Sequence, residues 1–493
     1  MLRDQGWRLL LRFPDALARL GLVDRRRARE TFELAVPSMV SAGIWTVLRI
    51  TDFVMVSLAL SDAAVAALEF AFQYYFVGFS LAIAVSSGTI SLVARFKGAG
   101  DHETADFVVK QSLWFAVAIS VPLILVSWLY ADALIGVLTD SPRVVALGSV
   151  YLQIVMLALA FRFWSMIAAR GLEGSGDTRT PMYINLVVIP LNIVLNALLI
   201  FGVGPVPRLG IAGAALGTAI ANTLGAAVYA AIYLSARFPI RLRLGGRQWD
   251  AGIAREIVRV GLPLAGNRLV GTVGRFPFLF MLGVLGTPYV AAFAIGRQIV
   301  QLAMIPGWGY ATSASTLVGQ RLGAGADDDA AAYGWDTVTV ALATQLLLAA
   351  AFALLARPIA VLSGTESVAL TTTFVRVFTL SVAGASVAQT LQGGLRGAGD
   401  TTWPLYGAAL GTVLRLAITA LALPAGFVLL TVGGVALAPG LGLGVSAVFA
   451  AVLADRYGRA LVNAVRFRSR AWQTVARRSL ARDESGAEPE APD

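Results

Sequence analysis

The segment Gly171-Leu172-Glu173-Gly174-Ser175-Gly176-Asp177-Thr178-Arg179-Thr180-Pro181-Met182-Tyr183 returns as Gly394-Leu395-Arg396-Gly397-Ala398-Gly399-Asp400-Thr401-Thr402-Trp403-Pro404-Leu405-Tyr406, 223 residues later. Each copy lies between two long apolar runs. Gly176 and Gly399 permit a tight turn, Asp177 or Thr178 can cap the helix that follows, and Pro181 suits the first turn of that helix. Asp177 and Asp400 therefore read as structural acids facing water. A membrane chain made of two copies of one unit points to a transporter, because two similar lobes can rock about a shared central cavity.

Other markers recur in the same order. Thr46-Val47-Leu48-Arg49 matches Thr272-Val273-Gly274-Arg275, and Val65-Ala66-Ala67-Leu68 matches Val290-Ala291-Ala292-Phe293. Gln73 matches Gln298, and Gly98-Ala99-Gly100 matches Gly323-Ala324-Gly325. The chain is 57% hydrophobic and 14% charged, with a mean hydropathy of +0.74. Soluble domains carry about 25% charged residues, so a water-soluble globule is excluded.

Apolar runs place spans near 34–60, 63–94, 107–130, 143–169, 182–203, 209–235, 257–285, 288–320, 334–356, 367–393, 404–423 and 426–454. The expected fold is an all-α polytopic membrane protein with twelve transmembrane helices in two six-helix lobes. An even number of spans per half inserts both halves in the same sense, related by a pseudo-two-fold axis along the membrane normal.

The net charge of +10 does not indicate nucleic acid. Arg residues gather at span ends and in alternate loops, as the positive-inside rule requires. That asymmetry predicts a multi-pass protein of the cell (plasma or inner) membrane with both termini cytoplasmic. Residues 1–33 read as a basic amphipathic segment lying on anionic headgroups, or as a solvated basic tail. Residues 34–236 form the N-lobe, 237–256 a basic cytoplasmic linker and 257–460 the C-lobe. Residues 461–493 form a cytoplasmic tail, first basic, then acidic and disordered from Asp483. Cys is absent and the single His, His102, lies in a polar loop, so Cys- and His-based metal sites are excluded. No Walker-A run occurs, so no ATP is hydrolysed by this polypeptide. A membrane enzyme would need a convergent acid, base and nucleophile that the chain does not offer.

Taken in order, the paired repeats resemble the multidrug and toxic compound extrusion (MATE) family over roughly residues 30–460. The resemblance rests on Pro37 and Pro263 early in the first helix of each half, the Gly-Ala-Gly loops and the Gly-Asp-Thr-x-x-Pro turns. It extends to an Asn-containing stretch from Asn192 to Gly202 and the run Gly210-Ile211-Ala212-Gly213-Ala214-Ala215.

Asp52 is the sharpest functional candidate. It lies inside the first apolar run, where a carboxylate costs several kcal/mol unless it faces a cavity or a partner. The resemblance implies that it binds the coupling H+ or Na+. Arg49 stands three residues earlier on the same helical face, so an ion pair with Asp52 is the structural alternative. Asn192 and Asn196, four residues apart, share a face of the fifth helix. They could supply ligands or hydrogen bonds to Asp52, or interhelical hydrogen bonds alone. Family members often carry Asp at the second position, so Asn196 is a departure that weakens the case for Na+. Tyr151 and Thr218 match polar positions of the same lobe. Trp45 stands where the family often has Gln. Glu69 is a second protonatable candidate or an interfacial residue.

The C-terminal half lacks the Glu and Asp that some members carry in the seventh and tenth helices. Arg415 occupies the repeat position of Asn192, and Arg268 and Arg275 lie in the seventh run. Intramembrane acids therefore read as confined to the N-lobe. Trp45, Met55, Arg275 and Arg415 are candidates to line the substrate cavity. The resulting reading is a cation-coupled antiporter, H+ ahead of Na+, exporting amphipathic or organic-cation compounds. It needs no cofactor, metal or nucleic acid beyond the coupling ion, and it works as a monomer in the lipid bilayer. The rival from the same superfamily is a flippase for lipid-linked saccharides or other anionic lipids, with the Arg residues binding a pyrophosphate.

Overall fold

The computed structural model describes residues 7, 10–235, 237–243, 245–432 and 435–484. Among these, two runs of six helical spans follow one another. The first six are Arg25–Ala59, Asp62–Gly98, His102–Leu129, the pair Pro142–Leu157 and Leu159–Gly174, Arg179–Phe201, and Ile211–Leu234. The second six are Ala251–Leu285 (interrupted at Gly274), the pair Thr287–Ala303 and Ile305–Gly323, Asp327–Leu354, Val368–Gly397, Thr402–Ala420, and Val445–Arg468. The protein is an all-α polytopic membrane protein, with one short antiparallel hairpin pairing Leu430–Val432 with Val435–Leu437. The fourth and eighth spans each bend by 44° at a single residue, Ala158 and Met304.

The expected twelfth span at 426–454 is displaced. The described residues of 426–432 and 435–444 hold the hairpin strands and irregular chain, and the helix runs from Val445 to Arg468. The run of Gly and Pro at Gly433, Gly434, Pro439, Gly440, Gly442 and Gly444 disfavours helix. Hydropathy alone could not see this, because the stretch is as apolar as a span. Hydropathy marks the eleventh and twelfth helices less clearly than the other spans. Their interiors carry Arg415, and Asp455, Arg456 and Arg459.

The chain divides into two compact units at Pro37 and Pro263, the corresponding prolines of the repeat. One unit comprises Met1–Val36, Pro263–Leu322 and Ala326–Arg478; the other is built on Pro37–Leu262 with Gly323–Gly325. Each proline sits inside a continuous helix, where it removes one backbone hydrogen bond and favours a bend.

In the Pro37–Leu262 unit the linker is strapped down. Lys110 Nζ donates to the carbonyls of Gly245 and Arg247 at 2.9 and 3.0 Å, and Gln111 donates to that of Asp250 at 2.6 Å. Lys97 donates to Pro239 O at 2.6 Å. Asp177 accepts from the backbone N–H and hydroxyl of Thr180, capping the fifth helix. Its repeat partner behaves differently. Asp400 is buried, not water-facing as the sequence suggests, because Arg466 of the twelfth helix reaches it at 2.6 Å. The corrected position of that helix is what brings Arg466 there.

In the other unit, the N-terminal residues pack with the ninth span. Arg27 Nε meets Asp336 at 2.6 Å, Thr31 and Thr337 hydroxyls lie 3.1 Å apart, and Arg321 meets Glu30 at 3.2 Å. The tail also docks. Trp472 is fully buried, stacks on Phe467 at 4.6 Å and donates its indole N–H to Phe467 O at 2.7 Å. Arg470 and Arg477 pair with Asp328 and Asp327 at the start of the ninth helix. Helix Ala471–Glu484 thus extends past Asp483, and residues 485–493, where disorder is expected, lie outside the described residues.

Asp15, in helix Arg12–Arg19, accepts from Arg29 at 2.5 Å and from Arg25 at 3.0 Å. These hydrogen bonds, Arg29 first, hold its carboxyl well below the usual carboxylate range. A depressed folded-state value means the clamp is complete above the ordinary carboxylate range and is lost only as pH falls through the depressed value. Limited trypsin digestion at pH 8 should cut Asp15→Asn faster than wild type between Arg25 and Arg29. Lowering the pH from 8 to 6 should not loosen the wild-type segment.

Candidate functional site

Asp52 and the two asparagines meet within the Pro37–Leu262 unit. Asn192 and Asn196 lie one helical turn apart on the fifth span and are both buried. Asn196 Nδ2 donates to Asp52 Oδ1 at 2.9 Å and to Asn192 Oδ1 at 2.9 Å. A chain of carboxylate and two amides results. Asn196 Oδ1 is buried without a hydrogen-bond partner among the described residues. Such an oxygen could accept from a protonated carboxyl or serve as one neutral ligand to a small cation. No group of three or more His, Cys, Asp or Glu placed to hold a metal ion occurs among the described residues.

The ion pair between Arg49 and Asp52 does not form. Arg49 is exposed, whereas Asp52 is half-buried and hydrogen-bonded to the fifth span through Asn196. Among the described residues Asp52 has Asn196 as a hydrogen-bond partner and no basic one. A carboxylate so placed is neutralised most readily by taking up a proton or a monovalent cation.

The remaining candidates divide. Tyr151 is buried within electrostatic reach of Asp52 and Tyr75. Thr218 is half-buried on the sixth span and makes no hydrogen bond to Asp52, Asn192 or Asn196 among the described residues. Glu69 is exposed and accepts from Gln73 at 3.3 Å. Met55, a proposed cavity residue, is instead packed in the hydrophobic core, its alternating face turned inward by the same helix that exposes Phe53 and Leu58. Trp45 is half-buried, and its ring carries the guanidinium of Arg162 at 3.9 Å.

Arg162 escaped the sequence reading. It sits in the fourth span between Phe161 and Phe163, 5.9 Å from Phe79 and within electrostatic reach of Tyr75. An ionisable residue amid apolar ones was the available signal. The same holds for Asp455. It is buried in the other unit, where Arg415 meets it at 3.3 Å and Arg459 at 2.6 Å. Intramembrane acids are therefore not confined to the first half. The expected span at 426–454 leaves Asp455 just past its end, whereas the helix Val445–Arg468 places it inside. Arg275 and Arg415 both line one cavity in that unit, whereas Arg268 lies over Trp308 at 5.7 Å.

Close helix contact sets the position of Asn196. A Cβ on Gly217 would lie 2.1 Å from Asn196 Oδ1 and 3.0 Å from its backbone nitrogen. A Cβ on Gly225, two turns along, would meet side-chain atoms at 3.6 Å or beyond. Gly217→Ala should cost roughly 1–3 kcal/mol by overpacking and displace the Asn196 amide. Thermal unfolding of the detergent-solubilised protein should show the loss in Gly217→Ala and not in Gly225→Ala. Equal melting of the two variants would contradict the packing described.

The MatE family model matches residues 37–198 and 263–421, beginning in each half at the proline that divides the two units. A Bradyrhizobium diazoefficiens protein named "Probable multidrug resistance protein NorM" is 29% identical over 78% of this chain and 83% of its own length. A Thermotoga maritima protein of the same name is 26% identical over 76% of this chain and 81% of its own. A crystal structure of MATE in the straight conformation superposes with a TM-score of 0.80 at 20% identity, covering 91% of this chain and 97% of that one. With both halves matched by the family model, the chain belongs to the MatE family of multi-pass membrane transporters and is not an enzyme.

Proposed function

We propose that the protein is a cation-coupled multidrug exporter, with Asp52 as the group that exchanges the coupling ion. The observation that carries this reading is the half-buried Asp52 carboxylate, hydrogen-bonded by Asn196 and unaccompanied by a basic side chain among the described residues. Names of the relatives from Bradyrhizobium diazoefficiens and Thermotoga maritima support multidrug substrates.

H+ is preferred to Na+. One carboxylate and two amides offer a single negative charge, and Asn192 Oδ1 is already accepting from Asn196. A proton needs only the carboxylate. A monovalent cation would have to recruit both amide oxygens and break that bond. Binding of H+ removes the charge of Asp52 and converts an acceptor into a donor, for which the unpartnered Asn196 Oδ1 is an acceptor nearby. Rearranging this chain of hydrogen bonds gives the fifth span two states that the ion distinguishes. Alternating access follows if the exported compound prefers one state and the ion the other. Pro37 and Pro263 lie where each unit hands a helix to the other, and a helix lacking a backbone hydrogen bond there can change its bend.

The chain works in the cell membrane, with N- and C-termini cytoplasmic. Support comes from the basic linker and tail, against outer loops holding only Arg143, Arg208 and Arg357. The monomer carries the whole pathway, since both halves reside in one polypeptide.

Efflux from proteoliposomes under imposed pH and Na+ gradients tests the proposal. Wild type should drive efflux of an amphipathic dye with the pH gradient, and Asp52→Asn should abolish the gradient-driven part while retaining its thermal stability. Persistence of gradient-driven efflux in Asp52→Asn would move the coupling site elsewhere.

A further inference from the structure

The unit containing Pro263–Leu322 and Ala326–Arg478 has a cavity of about 120 Å³ that the coupling chemistry does not use. Its charged lining comes from four helices. Arg275 is contributed by the seventh span, Arg297 by the eighth, Arg415 by the eleventh, and Asp455 with Arg456 by the twelfth. Four guanidinium groups thus face one carboxylate.

That carboxylate is already spent. Asp455 Oδ2 accepts from Arg415 Nη1 at 3.3 Å, and Asp455 Oδ1 accepts from Arg459 Nε at 2.6 Å. Arg275, Arg297 and Arg456 form no ion pair with any described residue. Arg415 is bonded at Nη1 only; its Nε and Nη2 are buried without a hydrogen-bond partner among the described residues. Buried guanidinium donors with nothing to donate to are costly, and the cost is removed by an anion that accepts from them.

The apolar wall is aromatic. Phe293 lies 4.9 Å from Phe278 and 5.4 Å from Phe378, ring centre to ring centre, and the Arg415 guanidinium stands 5.2 Å over Phe278. A flat apolar body can pack there while its charged end meets the guanidinium groups. Cavities of about 150 Å³ hold a benzene ring, so this one suits a single ring or a headgroup with the remainder projecting outward.

We propose that this cavity binds an organic oxyanion, a carboxylate or phosphate joined to an aromatic or apolar body, held by Arg275, Arg297, Arg415 and Arg456 against the phenylalanine wall. Arg suits both groups because its planar fork donates two parallel hydrogen bonds to them. The substrate class of the exporter then includes acidic and zwitterionic compounds, and a simple organic cation is repelled from this unit. In that respect the inference deepens the exporter reading and rests on it. Binding at equilibrium needs no ion gradient, so a failed binding test leaves Asp52-dependent efflux standing, and failed efflux leaves the binding result standing.

The test is titration calorimetry on the full-length protein in phosphatidylcholine nanodiscs, with phenyl phosphate and benzoate as probes. Benzyl alcohol and benzyltrimethylammonium are the neutral and cationic controls. Both anions should bind saturably, and the controls should bind at least about tenfold more weakly. Arg297→Gln and Arg275→Gln should each weaken phenyl phosphate about tenfold or more, and Arg297→Lys should recover part of the loss. Neither substitution leaves Asp455 unpaired, so both variants should keep the wild-type unfolding temperature. Repeating the titration with phosphatidylglycerol in the disc separates the sources. Competition identifies a lipid headgroup as an occupant, and its absence identifies a soluble compound; either places an oxyanion in the cavity. Equal binding of anion and cation, or phenyl phosphate affinity unchanged in both folded Gln variants, would overturn the proposal.

Discussion

A charge carried into hydrocarbon must be answered by the protein, because no water is there to answer it. Much of this structure follows from how each unit meets that demand. Asp455 has Arg415 and Arg459, Asp400 has Arg466, and Asp177 caps the helix that follows its turn. Among the described residues, two sites leave the demand open. Asp52 has one neutral amide for company, and Arg415 keeps two donors unmet. The two openings have opposite sign and lie in different units. On the readings proposed above, one takes a cation and the other an anion. That opposition is the electrostatic core of the molecule, and the repeat makes it legible: Arg415 stands where the first half has Asn192.

The sequence carried most of the architecture because its repeat is long and ordered. The Gly-Asp-Thr turns, the Gly-Ala-Gly loops and the paired prolines located the two halves before any helix was seen. Eleven of the twelve spans follow from hydropathy, with errors at their ends. The exception was the last one, where an apolar run at 426–444 mimicked a span. Helix-disfavouring glycines and a proline in that run were the better guide, and they outweigh hydropathy because a backbone that cannot form a helix does not become one by being greasy.

The site was legible to the degree that its residues share an element. Asn192 and Asn196, on one helix, were readable as a pair from spacing alone. Their meeting with Asp52, on another helix, came from the family resemblance. Whether Arg49 paired with Asp52 depended on rotamers and packing that spacing does not determine, and the pair is absent. Arg162 and Asp455 were missed for different reasons. Arg162 is flanked by Phe161, Phe163 and Trp164 and so merges into an apolar run. Asp455 was lost through a boundary error, which shows how a shift of one span can change the electrostatic account of a whole unit.

The division at Pro37 and Pro263 bears on how the chain is made. Residues 25–36 find their partners, Asp336, Thr337 and Arg321 among them, about three hundred residues downstream. During synthesis they must wait while the first unit and the seventh to ninth spans emerge. Closing so long a loop adds only modestly to the entropic cost, which grows with the logarithm of its length. The delay is kinetic rather than thermodynamic. An early segment with basic residues therefore finds its partners only once the eighth and ninth spans are made. A cut between the two halves of the sequence would not follow the boundary of the units, since each unit takes the opening of a helix from the other half of the chain.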